Sequence, residues 1–233
     1  IDRWGVVCGD GVPESACGWD PTKGRDPFKC AYISSPVRGL MPLLDVWPYI
    51  RDRHPKASLD VYYGWETLPP NLNRVREQVM AKVAQFSRFG VVWKGRVPQT
   101  TLERDLPTYG AWLYPCAFPE GFCIAGVRAT AAGCVPIYTG TAAMPEIQIP
   151  SPWAVDATPW VEGGRDAFAR AAVEGIDASA KGEWDREAAR EWARRERTWK
   201  VCADRLVKDF ESLGRERVVM DREGTKLHAE GIP

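Results

Sequence analysis

Short apolar runs alternate along the chain with segments whose apolar residues recur at helical spacing. The apolar runs predict strands at residues 29–34, 58–63, 89–93, 111–114, 134–138 and 153–155. Helices are predicted between them at residues 40–53, 71–88, 100–106 and 122–132. Because strands and helices alternate and the strands are continuously apolar, we predict an α/β fold. It should be a Rossmann-like parallel sheet flanked by helices on both faces.

The last quarter of the chain has a different pattern, with many charged residues and one apolar stripe. The stripe predicts a long, charged, amphipathic C-terminal helix over residues 181–220, after a sheet domain of residues 1–180. We expect this helix to pack on the sheet domain; the alternative is a helix that crosses to another domain. Residues 221–233 are predicted to form a loosely held polar tail. The stripe consists of Trp184, Ala188, Trp192, Trp199, Cys202, Leu206, Phe210 and Leu213.

Length and charge narrow the class of protein. The 233 residues suffice for one large domain or two small ones, and 31 basic and 31 acidic residues give a formal charge of zero. A net charge of zero removes the usual electrostatic argument for nucleic-acid binding. No apolar run approaches the ~20 residues of a membrane span. The chain begins at Ile1 without the basic and apolar opening of a signal peptide, so we expect a fragment or a processed chain.

Cysteines and histidines form no recognisable metal motif. No two of the seven cysteines have CxxC spacing, and neither His54 nor His228 lies near a cysteine pair, so no metal site is predicted. We favour small buried side chains in a reducing cytosol, and thus a cytoplasmic protein. A catalytic thiolate is the alternative. The cysteines are Cys8, Cys17, Cys30, Cys116, Cys123, Cys134 and Cys202.

The most informative stretch is residues 114–147, YPCAFPEGFCIAGVRATAAGCVPIYTGTAAMPEI. A loop at 115–120 follows a predicted strand, and Gly121 is predicted to open a helix that closes at Gly133. Ligands of parallel sheets bind at the carboxyl ends of strands, and a helix start offers unpaired N–H groups to a phosphate. Glu120 lies directly before that helix. Taken alone, this carboxylate could serve only to complement the positive end of the helix dipole.

Four short motifs stand in a fixed order along the sheet domain. They are Ser35-Pro36-Val37-Arg38-Gly39-Leu40; Tyr63-Gly64; Lys94-Gly95-Arg96-Val97 with Leu102; and a segment with Pro115, Glu120, Phe122, Ala132-Gly133-Cys134-Val135-Pro136 and Glu146. This ordered set resembles the donor-binding half of GT-B glycosyltransferases, particularly the retaining enzymes of glycosyltransferase family 4. The resemblance implies that residues 1–180 form a Rossmann-like donor-binding domain.

The resemblance also implies roles for individual residues. Arg38 would hold the donor diphosphate and stabilise the leaving group, and Glu120 would contact the transferred sugar, so these two are the candidate catalytic residues. Residues 94–97 would line the nucleobase pocket, and residues 121–123 would offer backbone N–H groups. The candidate donor-binding residues are Ser35, Gly64, Lys94, Gly95, Arg96, Val97, Gly121, Phe122, Cys123, Arg128 and Glu146.

Two positions depart from the family pattern. Arg128 stands where the family has a second glutamate that holds the ribose hydroxyls, and an arginine cannot accept those hydrogen bonds. Either the nucleotide is held differently, Glu146 substitutes, or activity is weakened. Ile33 stands where the family has a second phosphate-binding arginine. Arg128 or Arg96 is a candidate to replace that cation.

The resemblance implies a nucleotide-sugar-dependent glycosyltransferase that acts with retention, without metal and without a bound cofactor. A UDP- or GDP-sugar is the expected donor. The partner is expected to be an acceptor domain or chain on the N-terminal side, without which the isolated domain would transfer sugar poorly. Nucleic acid is not expected as a partner, although a modified nucleic-acid base stays among the conceivable acceptors. The alternatives are a non-catalytic nucleotide-sugar-binding module with a degenerate GT-B fold, and a sugar-nucleotide epimerase.

Overall fold

The computed structural model describes residues 9–20, 24–66, 68–215, 218–220 and 226–228, with side chains to residue 211. Most of the predicted polar tail and Cys8 therefore lie outside the described residues. Leu213 of the predicted stripe lies among residues whose side chains are not described.

A six-stranded parallel sheet forms the centre of the molecule. All six predicted strands are present, and the strand order is β3-β2-β1-β4-β5-β6, with every neighbouring pair parallel. The chain order reverses between β1 and β4, which opens a crevice at the carboxyl ends of these strands. The predicted α/β, Rossmann-like class is confirmed. The strands are β1 (Asp26–Tyr32), β2 (Ser58–Tyr62), β3 (Val91–Gly95), β4 (Tyr109–Tyr114), β5 (Val135–Thr139) and β6 (Ala154–Val155).

Helices cover this sheet and extend beyond it. α1 has the predicted bounds, and α2, α3 and α4 differ from prediction by one to three residues at their ends. A short antiparallel pair, β7 (Val218–Met220) with β8 (Lys226–His228), follows the last helix. The helices are α1 (Leu40–Arg53), α2 (Asn73–Phe86), α3 (Gln99–Asp105), α4 (Ile124–Ala131), α5 (Met144–Ile147), α6 (Glu162–Lys181), α7 (Arg186–Arg197) and α8 (Trp199–Arg215).

Helix α6 was not predicted, because most of its buried positions are small residues that give little hydrophobic periodicity. Glycine and alanine let this helix approach the sheet closely. A β-carbon on Gly175 would lie 2.5 Å from Ile137 Cδ1 in β5. Only Phe168 and Ile176 supply large apolar side chains to the buried face of the helix.

The predicted single C-terminal helix is instead two helices, α7 and α8, divided at Thr198. Thr198 has extended backbone angles (φ −78°, ψ 153°), which end the helical hydrogen-bond series. Val12 N–H donates to the Arg197 carbonyl at 2.8 Å, and Trp199 N–H donates to the Val12 carbonyl at 3.0 Å. The break is therefore a tertiary effect, caused by a segment near the amino terminus that pairs with Thr198.

Helix α7 is fixed to the sheet domain by Arg186. Its guanidinium donates hydrogen bonds to the carbonyls of Pro107, Ala132 and Gly133 at 2.7–3.3 Å. It also lies 4.3 Å from the centre of the Trp19 ring. Burial, followed by the charge of Arg25, lowers the pKa of Arg186 from its ordinary value. Ala193 of α7 belongs to an apolar cluster with Val127 and Ala131 of α4, and Trp192 packs against this cluster.

Candidate functional site

A cavity of about 390 Å³ opens at the carboxyl ends of the central strands. Residues that follow β1, β2 and β3 form one wall, and the first turns of α3 and α4 form the other. The cavity therefore lies where the reversal of strand order places ligands in open α/β sheets. Its lining residues are Ile33, Tyr62, Tyr63, Gly64, Gly95, Arg96, Val97, Gln99, Leu102, Ile124, Ala125 and Arg128.

Two candidate catalytic residues from different loops form an ion pair at this edge of the sheet. Arg38 lies in a 3₁₀ turn (Pro36–Arg38) after β1, and Glu120 lies in the loop after β4. Arg38 Nη1 donates to both carboxylate oxygens of Glu120, at 2.9 and 3.0 Å. Residues 82 positions apart in sequence are thus brought into direct contact.

In this pair the carboxylate is more deeply buried than the guanidinium. Glu120 is 5% exposed and also accepts a short hydrogen bond from the Tyr114 hydroxyl at the end of β4. The Arg38 side chain is 36% exposed and lies over the Phe118 ring at 4.3 Å. Burial lowers the pKa of Arg38, but Glu120 and Tyr114 outweigh it and leave that pKa above its ordinary value. Nε and Nη2 of Arg38 make no hydrogen bond with the described residues and remain able to donate to an anion.

Gly39 allows the two loops to come together. Its φ is +139°, a backbone conformation that side-chain-bearing residues rarely adopt. A β-carbon at this position would lie 2.2 Å from the Pro115 carbonyl oxygen. The loop after β4 is held from its other side as well, because Ala143 N–H donates to the Glu120 carbonyl at 3.2 Å. Only glycine therefore fits between the Arg38 turn and the Glu120 loop.

The structure brings five of the predicted donor-binding residues to the cavity: Gly64, Gly95, Arg96, Val97 and Arg128. Ser35 lies in the Arg38 turn, and its buried hydroxyl has no hydrogen-bond partner among the described residues. Lys94 and Glu146 are exposed and do not line the cavity. The Arg197 guanidinium binds the backbone carbonyl of Glu146 at 2.7 Å.

The predicted helix start at Gly121 is three residues too early. Helix α4 begins at Ile124, and Cys123 occupies the cap position with a non-helical backbone. Gly121 has open space around it, and Phe122 packs against the cluster between α4 and α7. Residues at the actual start of α4, Ile124 and Ala125, line the cavity. The backbone N–H groups at a helix start are thus supplied by residues slightly later than those predicted.

Arg128 is engaged within the protein. Its Nη1 forms an ion pair with Glu103 Oε1 of α3 at 3.0 Å, and both side chains are 15% exposed. With its amide oxygen facing the guanidinium, Gln99 also accepts from Arg128 Nε at 3.3 Å. Glu103 Oε2 accepts from the Ser15 hydroxyl at 3.0 Å. Arg128 therefore lies on the cavity wall with its charge partly compensated by Glu103.

Several lining residues were not singled out from the sequence, among them Tyr62, Gln99 and Ile124. Their position along the chain could have identified them, because each ends a strand of the sheet or begins the next helix. Tyr63 has a φ of +145°, which is rare outside glycine, and its N–H donates to the Gly95 carbonyl at 3.0 Å. Tyr62 turns its hydroxyl away to Tyr109 and Asp105, at 2.7 and 3.2 Å.

The described part of the chain contains no group of three His, Cys, Asp or Glu side chains that could hold a metal ion. None of the helices described in the structure is long and apolar enough to cross a membrane.

The cysteines in the described residues should be chemically inert in the native protein. All six are buried. Burial raises the pKa of the Cys123 thiol, beside the candidate site, to about 12. Because the thiolate is the nucleophile, we expect iodoacetamide at pH 8 to leave Cys116 and Cys123 unmodified in native protein and to alkylate both in urea. Peptide mass spectrometry reads out each position. Fast native alkylation of either residue would favour the catalytic-thiolate alternative.

Comparison with solved structures identifies the architecture. HepE from Anabaena, solved with UDP, has a TM-score of 0.71 at 13% identity, over 89% of this chain and 57% of its own. Sucrose-phosphate synthase from Thermosynechococcus elongatus has a TM-score of 0.65 at 15% identity, over 90% and 52%. The pneumococcal O-GlcNAc transferase GtfA, solved with UDP and GlcNAc, has a TM-score of 0.59 at 17% identity, over 88% and 38%.

The chain has the fold of one domain of these GT-B glycosyltransferases. It spans between 38% and 57% of these GT-B proteins. No protein-family model matches the sequence, and no curated protein matches it. Membership in family 4 therefore stays a prediction, whereas the fold is shown by structural similarity to GT-B proteins. Within this GT-B domain, Arg38 follows the first strand and Glu120 follows the fourth, on the two sides of the point where the strand order reverses.

Proposed function

We propose that this chain is the donor-binding part of a glycosyltransferase that uses a nucleotide sugar. The observation that carries the proposal is the Arg38–Glu120 ion pair, which follows β1 and β4 at the carboxyl edge of the sheet. The cavity opens at the same edge, although neither residue is among those that line it. A cation with two unused donor atoms and a buried carboxylate thus share this edge with a space of a size that suits a nucleoside. This combination matches a nucleoside diphosphate whose attached sugar reaches Glu120.

In the proposed reaction, the two residues act on opposite sides of the bond that breaks. Arg38 would donate to diphosphate oxygens and stabilise the negative charge that develops on the leaving nucleoside diphosphate. Glu120 would turn from Arg38 towards a hydroxyl of the transferred sugar and fix its orientation. Transfer with retention, without a metal ion and without a bound cofactor, is part of the proposal. A UDP- or GDP-sugar is the proposed donor.

The proposed partner is a second domain or chain that supplies the acceptor site. Support comes from the length comparison, since the chain spans about half of the GT-B proteins that it resembles. Exposed Phe118, which covers Arg38, would then face that partner across the cleft. We also propose a cytoplasmic location, where nucleotide sugars and reduced thiols are both available.

A second candidate function is a non-catalytic module that binds nucleotide sugars. The observation that favours it is the Arg128–Glu103 ion pair, which stands where the family has a carboxylate for the ribose hydroxyls. Both candidates require nucleotide binding, and they differ in sugar transfer once an acceptor domain is present.

Calorimetric titration of the purified chain with UDP, GDP and their glucose and N-acetylglucosamine conjugates tests the shared requirement. We expect saturable binding of at least one nucleotide with a stoichiometry of one. A folded sample that binds none of them would overturn the proposed function. An isomerised sugar nucleotide, formed without any acceptor, would instead support an epimerase.

Replacement of Glu120 by glutamine should separate sugar binding from nucleotide binding. The neutral amide frees Arg38 from its ion pair, so we expect the bare nucleoside diphosphate to bind equally or up to about 10-fold more tightly. The added affinity that the attached sugar contributes should be lost, because Glu120 would contact the sugar.

The ratio of dissociation constants for the sugar nucleotide and the bare nucleotide measures this effect. Glu174→Gln makes the same change on an exposed carboxylate of α6, which forms no ion pair with the described residues, and should leave the ratio unaltered. An unaltered ratio in Glu120→Gln as well would show that Glu120 does not contact the sugar.

A further inference from the structure

One aromatic residue on the wall of the cavity is held in an unusual backbone conformation. Tyr63 directly follows β2, and its φ of +145° lies in a range that residues with a side chain rarely adopt. Such a conformation costs free energy and is found most often at functional sites. Glycine would adopt it without strain, so the strain points to a use for the tyrosine side chain. The family resemblance gives a role to Gly64, the next residue, and none to Tyr63.

The surrounding backbone enforces this conformation. Tyr63 N–H donates to the Gly95 carbonyl at 3.0 Å, and Gly95 itself has a φ of +68°. The pairing register of β2 and β3 shifts by one residue at this point, which leaves Lys94 without a partner in β2. A bulge of this kind redirects the chain where regular pairing ends. The turn at Tyr63 is therefore fixed by backbone pairing and does not depend on the tyrosine side chain.

The Tyr63 side chain has no polar or aromatic partner in the part of the chain that the structure describes. Its hydroxyl forms no hydrogen bond there, and its ring packs on no other aromatic ring. Tyr63 is half-buried and lies outside the hydrophobic core cluster that includes Tyr62. Tyr62 is buried, and its hydroxyl is hydrogen-bonded to Tyr109 and Asp105. Of these two tyrosines on the cavity wall, Tyr63 is thus the one whose ring can contact a ligand.

Much of the remaining cavity wall is aliphatic. Ile33, Val97 and Leu102 line the cavity, together with Ile124 at the start of α4. Aliphatic side chains and the face of an aromatic ring both pack well against a flat, largely apolar ring system. Phosphate groups and sugar hydroxyls instead need hydrogen-bond partners. Among the parts of a nucleotide sugar, the base is therefore the part that suits this wall.

We infer that the ring of Tyr63 stacks on the base of the bound nucleotide. Stacking uses the flat face that every base has, so Tyr63 contributes affinity and does not choose among bases. The strained backbone is the conformation that presents this ring at the cavity wall. The inference rests on the proposed function and adds a base-binding residue to it.

Calorimetric titration of variants at position 63 tests the inference, with whichever of UDP and GDP the native chain binds. Tyr63→Leu keeps a large apolar side chain but lacks an aromatic face, so we expect its dissociation constant to rise about 10-fold. Tyr63→Phe keeps the aromatic face and loses only the hydroxyl. Its dissociation constant should stay within about twofold of the native value.

Tyr63→Gly gives a second readout that moves in the opposite direction. Glycine removes the ring and relieves the backbone strain. We therefore expect binding to weaken at least about 10-fold while the midpoint of urea denaturation stays equal to that of the native chain or rises. Loss of affinity in a variant of unreduced stability separates a lost ligand contact from a lost fold.

Ala142→Gly is the matched control. Ala142 also carries a side chain at positive φ (+53°), but it is exposed and does not line the cavity. This variant should keep or raise the urea midpoint and bind nucleotide like the native chain.

Two results would overturn the inference and leave the proposed function standing. One is nucleotide binding that Tyr63→Leu leaves unchanged. The other is nucleotide binding that Tyr63→Phe weakens as much as Tyr63→Leu does, because the hydroxyl and not the ring would then make the contact. Absence of all nucleotide binding by the native chain would overturn the proposed function and the inference together.

Discussion

Replacement of Arg38 by alanine is expected to weaken nucleoside diphosphate binding about 100-fold. Each hydrogen bond from a guanidinium to a phosphate contributes roughly 1.5–3 kcal/mol, and loss of about 3 kcal/mol corresponds to about two orders of magnitude in affinity. Arg38 has two donor atoms without partners among the described residues, so it can bind phosphate before it releases Glu120 completely. Dissociation constants from calorimetry give the measurement.

The single variant also leaves the Glu120 carboxylate buried without its cation, which costs stability. Arg38→Ala should therefore be compared with the double variant Arg38→Ala/Glu120→Gln, in which no unpaired charge remains. Arg88→Ala removes an exposed arginine that precedes β3, at the opposite edge of the sheet, and should bind nucleotide like the native chain. If the folded double variant binds nucleotide as tightly as Glu120→Gln alone, Arg38 does not hold the diphosphate.

Replacement of Gly39 by alanine is expected to lower the free energy of unfolding by about 3–5 kcal/mol. The positive φ costs roughly 1–3 kcal/mol for a residue with a side chain, and a β-carbon 2.2 Å from the Pro115 carbonyl adds steric strain of similar size. The neighbour is backbone and cannot rotate out of the way. Urea denaturation monitored by tryptophan fluorescence measures the change.

The same substitution should also disturb ligand binding in the protein that remains folded. Gly39 separates the Arg38 turn from the Glu120 loop, so a shift there moves two candidate site residues apart. Gly163→Ala is the matched control, because nothing lies within 4 Å of its β-carbon position in α6. Alanine there should be neutral or stabilise by up to about 1 kcal/mol. Equal stabilities of the two variants would contradict the steric role of Gly39.

The elements of the sheet were predictable because their cause is local. Each strand is a short apolar run, and α1 carries enough large apolar side chains to show its full length. Helix α6 escaped prediction because alanine and glycine carry its contact with β5. The break at Thr198 escaped for a different reason. It depends on a hydrogen-bonded pairing with Val12, which lies 186 residues before Thr198, and no property of residues 181–220 signals it.

The residues of the candidate site that belong to sequence motifs were predictable. The side chains that they contact in the folded chain were not. Arg38 and Glu120 were identified by resemblance, and the structure pairs them directly. The engagement of Arg128 with Glu103 was not foreseen, because its partner lies 25 residues earlier on a different helix.

The hydrogen bonds of Arg186 determine where the chain can be truncated without loss of contacts in the sheet domain. The three carbonyl groups that its guanidinium satisfies belong to the segment before β4, to the end of α4 and to the turn into β5, all within residues 1–180. A chain truncated after α6 would keep every strand of the parallel sheet and still lack the donor for these oxygens. The position near residue 181 is thus a boundary in amino-acid composition but not in hydrogen bonding. Helix α7 (residues 186–197) is therefore part of the sheet domain, because it supplies hydrogen-bond donors to backbone carbonyls of that domain.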